Sequence, residues 1–281
     1  MHESDDQIGA TAPQEPVTAN KTGKRRFRLR PRTVIAAVVI VTTAVVTTGW
    51  LTNWGRLETE SPADVRAAAA DDGKNVSGPV DCRKEKCIAL TFDAGPGKYT
   101  PRLLDILKEE KVPATFFLLG RKHIDTYPEL VRRIADEKHE VASHTWTHRR
   151  LTDLSTEEVR EELKRTNDAI EELTGKKPTL MRPPQGRTDD DVNEVSRELG
   201  LSEILWTVTA KDYKTNDSDL IEERVLEQAG RDGIILLHDI YRGTVPAVPG
   251  IIDKLKAEGY TFVTVSQLFA PGVPEPGTIY R

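Results

Sequence analysis

Several things are scarce in this sequence, and each scarcity removes a class of protein. Basic residues have no surplus: 40 Lys and Arg stand against 45 Asp and Glu, a net charge of -5, so no strongly basic domain offers itself to nucleic acid. Cysteine occurs twice, at Cys82 and Cys87, without further ligands nearby that would make a metal site of the pair. No serine stands in a Gly-x-Ser-x-Gly setting, and no glycine-rich phosphate loop of the P-loop kind is present. Histidine is also rare, with six in 281 residues. Yet His144 and His148 lie four apart, the spacing at which two imidazoles on one turn can meet one ion.

Hydrophobic content of 37% and charged content of 30% describe an ordinary globular chain, but not a uniform one. Residues 1 to about 23 are polar and should be disordered. Lys24, Arg25, Arg26, Arg28, Arg30 and Arg32 then precede an uncharged run over residues 34–51. As a helix those residues span roughly 27 Å, close to the roughly 30 Å hydrocarbon core, with Trp50 and Trp54 at the far interface. The basic cluster predicts a cytoplasmic tail over 1–33, a membrane anchor over 34–54 and everything beyond outside the cell. A cleaved secretory signal is the alternative, with Ala67 to Ala70 as cleavage site, but it lies well beyond the apolar run. Export makes a local Cys82–Cys87 disulfide the expected pairing. Residues 55–80 are polar and alanine-rich and read as an extracellular tether; 81–271 form the folded domain and 272–281 a C-terminal tail.

Within the domain, short apolar runs alternate with amphipathic stretches. Strands are expected at 88–92, 114–119, 140–143, 179–182, 204–208, 234–237 and 260–265, with helices between them. The clearest helix opens on a Ser155/Glu158 capping box and stops at Gly175, with Val159, Leu163, Ile170 and Leu173 on one face. Alternation of this kind means an α/β fold with parallel strands joined by right-handed crossovers. About seven strands predict an irregular parallel (β/α) barrel, with an open doubly wound sheet as the alternative.

In any parallel arrangement, reactive groups gather at the carboxyl ends of the strands. Asp93 ends the first strand, His144 and His148 follow the third, Arg182 ends the fourth, Asp212 follows the fifth and His238 ends the sixth. Singly, each has an ordinary reading: a turn aspartate, a surface arginine, a histidine satisfied by backbone. Together they offer what a hydrolytic metal centre needs, namely ligands, a carboxylate base and an acid for the leaving group.

The segments Thr91-Phe92-Asp93-Ala94-Gly95-Pro96, Ser143-His144-Thr145-Trp146-Thr147-His148, Arg182-Pro183-Pro184-Gln185-Gly186, Lys211-Asp212-Tyr213 and Leu236-Leu237-His238-Asp239 resemble the five ordered motifs of the polysaccharide deacetylases, the NodB-homology carbohydrate esterases (carbohydrate esterase family 4). The resemblance covers residues 85 to 270. It implies a distorted (β/α) barrel, a divalent metal such as zinc, and removal of acetyl groups from N-acetylated or, in some members, O-acetylated sugars. By the same resemblance, Asp93 is the base that activates water, and His144 and His148 hold the metal. Arg182 orients Asp93 and keeps its pKa low, the Gln185 N–H faces the oxyanion, and Asp212 pairs with His238, the acid.

The sequence departs from the family where a second acidic residue usually follows the base and ligates the metal: here stands Ala94. Asp189 is one conceivable substitute. Gln185 replaces a usual aromatic, Thr209 a usual Asp and Tyr213 a usual Trp, which alters the substrate groove. The expected function is a membrane-anchored, metal-dependent deacetylase of an extracellular glycan, with peptidoglycan as partner. The alternatives are a glycan-binding pseudoenzyme that lost its metal with Ala94, or an O-acetyl esterase.

Overall fold

The computed structural model describes residues 57–71 and 80–281. The expected tail and anchor lie outside the described residues, among which no helix is long and apolar enough to cross a membrane. The first long strand, β1 (Lys86–Asp93), is buried on both faces, as parallel strands roofed by helices must be. Its even-numbered residues, Ile88, Leu90 and Phe92, pack under helices α2 (Thr100–Glu110), α6 (Ser218–Gln228) and α7 (Thr244–Ala257). Its odd-numbered ones face the other way: Cys87 and Ala89 join an inner cluster with Phe117, Ala142, Leu180 and Ile204. Strand parity carries Thr91 and Asp93 to that inner face.

Eight more strands complete the sheet: β2 (Thr115–Leu118), β3 (Glu140–Ser143), β4 (Leu180–Met181), β5 (Ser202–Ile204), β6 (Val208–Thr209), β7 (Gly233–Leu237), β8 (Tyr260–Val263) and β9 (Ile279–Tyr280). Every pairing is parallel, in the order β6-β7-β1-β2-β3-β4-β5-β9, with β8 on the amino-terminal half of β1. Among the described residues the ladder does not close between β6 and β9. The architecture is thus a parallel half-barrel, where about seven barrel strands were expected. The strand expected over 204–208 is two strands, β5 ending at Ile204 and β6 opening at Val208, and the Ile204 and Leu205 carbonyls at the break accept from the buried Arg182 guanidinium. Helices α3 (Pro128–Asp136), α4 (Thr156–Thr174) and α5 (Asp190–Leu199) cover β2 to β5, and α4 opens on the anticipated capping box.

Both expected flanking segments need correction. Within the stretch read as a tether, helix α1 (Pro62–Asp71) packs on the domain, its buried Arg66 donating to Leu268 O at 2.6 Å and to Asp232 at 2.7 Å. The residues read as a C-terminal tail include β9, which pairs with β5 and is bridged by Glu60. Neither segment shows an apolar period, since half of α1 is alanine and β9 has two residues. Cys82 forms a disulfide with Cys87 at the start of β1.

Candidate active site

A cleft of about 720 Å³ opens at the carboxyl ends of the strands, and Asp93, His144, His148, Gln185, Tyr213 and His238 all line it. Arg182 and Asp212 stand directly behind, each fully buried. All eight expected residues therefore meet in one place.

On one wall, Arg182 Nη1 donates to Asp93 Oδ1 at 2.6 Å and to Thr91 Oγ1 at 2.8 Å. Its remaining nitrogens bond the Ile204 and Leu205 carbonyls at 2.9 and 3.2 Å, and the guanidinium lies 4.0 Å over the Phe117 ring. A buried arginine is costly unless its donors are met, and here they are. Burial nevertheless pushes Arg182 below its usual pKa, against the pull of Asp93. The result is a carboxylate fixed in direction by a cation with no freedom of its own.

On the facing wall, the Asp212 carboxylate accepts three hydrogen bonds: from His238 N and Thr244 Oγ1 at 2.8 Å each, and from His238 Nδ1 at 2.9 Å. Burial works against a charged imidazole, but the Asp212 hydrogen bond and charge outweigh it, so His238 is raised above its ordinary pKa. A protonated His238 with Nδ1 committed to Asp212 presents Nε2–H to the cleft. The rings of Tyr213 and Tyr241 meet its edge at centroid distances of 6.0 and 5.4 Å. Tyr213 is 49% exposed and forms the rim.

Between the walls sit His144 and His148, their ring centroids 4.9 Å apart. His144 Nδ1 bonds Arg182 O at 2.8 Å, which leaves Nε2 turned inward, 3.9 Å from Asp93 Oδ2. Burial lowers both imidazoles, His144 to about 4, so both are neutral donors at neutral pH. Ligands of this kind, anchored through the second ring nitrogen, suit a divalent cation. The donor set is short, however. Among the described residues no three His, Cys, Asp or Glu converge as a metal-binding group, whereas catalytic zinc usually has three protein ligands. The pair therefore fits a cation held by two side chains. Ala94 lines the cleft at φ 61° and offers only a methyl. Asp189 does not replace it: its carboxylate caps α5 by accepting from Val192 N at 3.0 Å, and it is not part of the cleft wall.

Three participants escaped the sequence reading. Thr91 braces Arg182, Thr244 completes the Asp212 shell, and His123 enters the cleft with Nδ1 against Pro96 O at 3.1 Å. Only Thr91 carried a signal, its place two residues before Asp93 on the same strand face.

This site, a positioned carboxylate facing a positioned imidazolium across a histidine pair at the mouth of a parallel half-barrel, is that of a sugar-modifying hydrolase family: the chain belongs to the polysaccharide deacetylases. The family model described as polysaccharide deacetylase matches residues 81–204. The peptidoglycan-N-acetylglucosamine deacetylase PgdA of Listeria monocytogenes is 42% identical over 188 residues, 66% of this chain and 40% of its own. This chain thus spans about two fifths of the length of that relative. A peptidoglycan-N-acetylglucosamine deacetylase of Bacillus cereus is 36% identical over 190 residues, 66% of this chain and 88% of its own. Among solved structures, a deacetylase with substrate superposes with a TM-score of 0.69 at 43% identity, covering 72% of this chain and all of that one. A family pseudoenzyme from Bacillus anthracis superposes at 0.64 and 32% identity, covering 70% of each chain. A mutant of the pseudoenzyme with restored enzymatic activity is also similar, at 35% identity.

Proposed function

We propose that this domain hydrolyses the acetamide of N-acetylated sugar units in peptidoglycan. The observation that carries this reading is the pair of intact dyads, Asp93–Arg182 and His238–Asp212, facing each other across one cleft. Asp93 takes a proton from the attacking water as its oxygen bonds the acetyl carbon. The Gln185 N–H meets the negative charge that develops on the carbonyl oxygen. As the C–N bond breaks, His238 gives its proton to the departing nitrogen, and acetate and the free amine leave. A divalent cation such as zinc, held by His144 and His148, would polarise the carbonyl and lower the pKa of water. The metal's identity and the membrane anchor over 34–54 belong to the same proposal, and the Cys82–Cys87 disulfide supports an exported domain.

Ala94 favours a second reading, a family pseudoenzyme that retains the glycan cleft without turnover. Metal content by elemental analysis, together with acetate release from peptidoglycan and N-acetylglucosamine oligomers with and without zinc, separates the two. Zinc-dependent acetate release is the expected result. Glycan binding with neither metal nor acetate would establish the pseudoenzyme.

A further inference from the structure

Glu162 occupies a position on α4 that its helix gives no reason for. It shares the buried face with Val159, Leu163, Thr166 and Ile170, where a carboxylate is costly unless its oxygens find donors. The donors come from the histidine turn. Glu162 Oε2 accepts from Trp146 N at 3.0 Å and Thr147 N at 2.7 Å, and Oε1 accepts from the Thr147 hydroxyl. Two successive backbone N–H groups converging on one anion form a nest. Residues on both sides of that nest hold left-handed backbone, Thr145 at φ 72° and His148 at φ 61°, a region that side-chain-bearing residues seldom enter. The opposite edge of the turn is also tied: the Thr145 and Trp146 carbonyls accept from Gly120 N at 3.1 Å and Arg121 N at 2.7 Å. Trp146 is wedged between Gly120, where a Cβ would come within 2.0 Å of the ring, and the Arg165 guanidinium at 4.1 Å.

We infer that Glu162 is the positioning residue of the metal-ligating turn: by gathering the Trp146 and Thr147 N–H groups it holds the backbone that aims His148 beside His144. The inference rests on the reading of that pair as a metal site. A histidine pair with no third protein ligand depends more on the rigidity of its backbone than a three-ligand site does, because each lost degree of alignment falls on fewer bonds.

The test uses the full chain with Glu162→Met and Glu162→Ala, measuring zinc affinity by chelator competition and amide hydrogen exchange in the metal-free protein. Zinc affinity should fall by about 10- to 100-fold, the usual effect of removing a residue that orients ligands. Exchange at Trp146 and Thr147 should accelerate about tenfold or more, since their acceptor is gone. A merely structural glutamate would change the melting temperature without this loss of affinity. Wild-type zinc affinity in folded variants overturns the assignment. Should Glu162→Ala not fold, Glu162→Met, which fills the same space without a carboxylate acceptor, and the hydroxyl deletion Thr147→Val decide. If the unsubstituted chain binds no zinc, the metal reading fails, and exchange then judges the turn by itself: faster in Glu162→Met supports the positioning role, unchanged sinks it.

Discussion

At the residue scale, the two dyads divide the chemistry by sign. Asp93 is held by a cation that burial prevents from moving, and His238 by an anion that keeps it protonated above its ordinary range. Replacing His238 by Ala should lower kcat by roughly 10²- to 10⁴-fold, the contribution of a positioned acid, in a steady-state acetate assay. Because the folded pKa of His238 is raised, the imidazolium is present below that value and lost as pH rises through it, so the rate should fall on the alkaline side. Asp212→Asn removes the charge and the hydrogen bond that raise it, so that alkaline limb should move to lower pH, a shift read directly from the pH–rate profile. Ala94→Asp places a carboxylate beside Asp93 at a left-handed backbone position that aspartate tolerates better than alanine. It should lower the melting temperature of the metal-free protein, because a second buried carboxylate then stands next to Asp93, recover it with zinc, and tighten zinc by about tenfold or more, measured by competition. These residues were legible from the sequence because each ends a strand and sits in a recognisable motif. Thr244 and Glu162 were not, since a threonine after a loop and a glutamate on a charged helix reveal their partners only once other segments are beside them.

At the scale of elements, β5 carries a charge that the fold barely tolerates. Glu203 is fully buried against α5, and burial raises its pKa to about 7; Thr188 and Ser196 offset this in part, yet neither carboxyl oxygen completes a hydrogen bond. A folded pKa above the unfolded one, about 4.5, means that stability is full below the unfolded value and is lost as pH rises toward the folded value. Glu203→Gln should therefore match the wild type near pH 4 and exceed it at pH 8, by thermal melts across that range. Helix α1 was misread for a related reason. Its alanines have no period, and what docks it is Arg66, which is 4% exposed and pairs with Asp232 some 166 positions away. Arg66→Ala should cost about 1–3 kcal/mol, less than a fully enclosed pair because Asp232 keeps some contact with water. Chemical denaturation measures it.

For the molecule as a whole, local signals and long-range closure had different visibility. The alternation of apolar runs and amphipathic stretches, the Ser155/Glu158 box and the order of the five motifs lie in short windows, so the parallel α/β class and the eight residues that gather at the cleft could be named from the chain alone. Proximity of Cys82 and Cys87 likewise made their bridge a local matter, and Cys82→Ala with Cys87→Ala should cost about 2 kcal/mol if loop closure is its main effect, as unfolding under oxidising conditions would register. What tertiary structure alone decided depends on partners far apart in sequence. The two-residue strand β9 exists because β5 offers it an edge, and the Ile204 and Leu205 carbonyls at the end of β5 meet Arg182 from the end of another strand. The histidine turn keeps its left-handed backbone because a carboxylate from α4 reaches it. Sequence determines which groups are available and at which strand ends they emerge, because strand parity and periodicity are properties of neighbouring residues. Which of those groups face each other, and which are left without a partner, follows only from packing, because a hydrogen bond acts over about 3 Å whatever the separation along the chain.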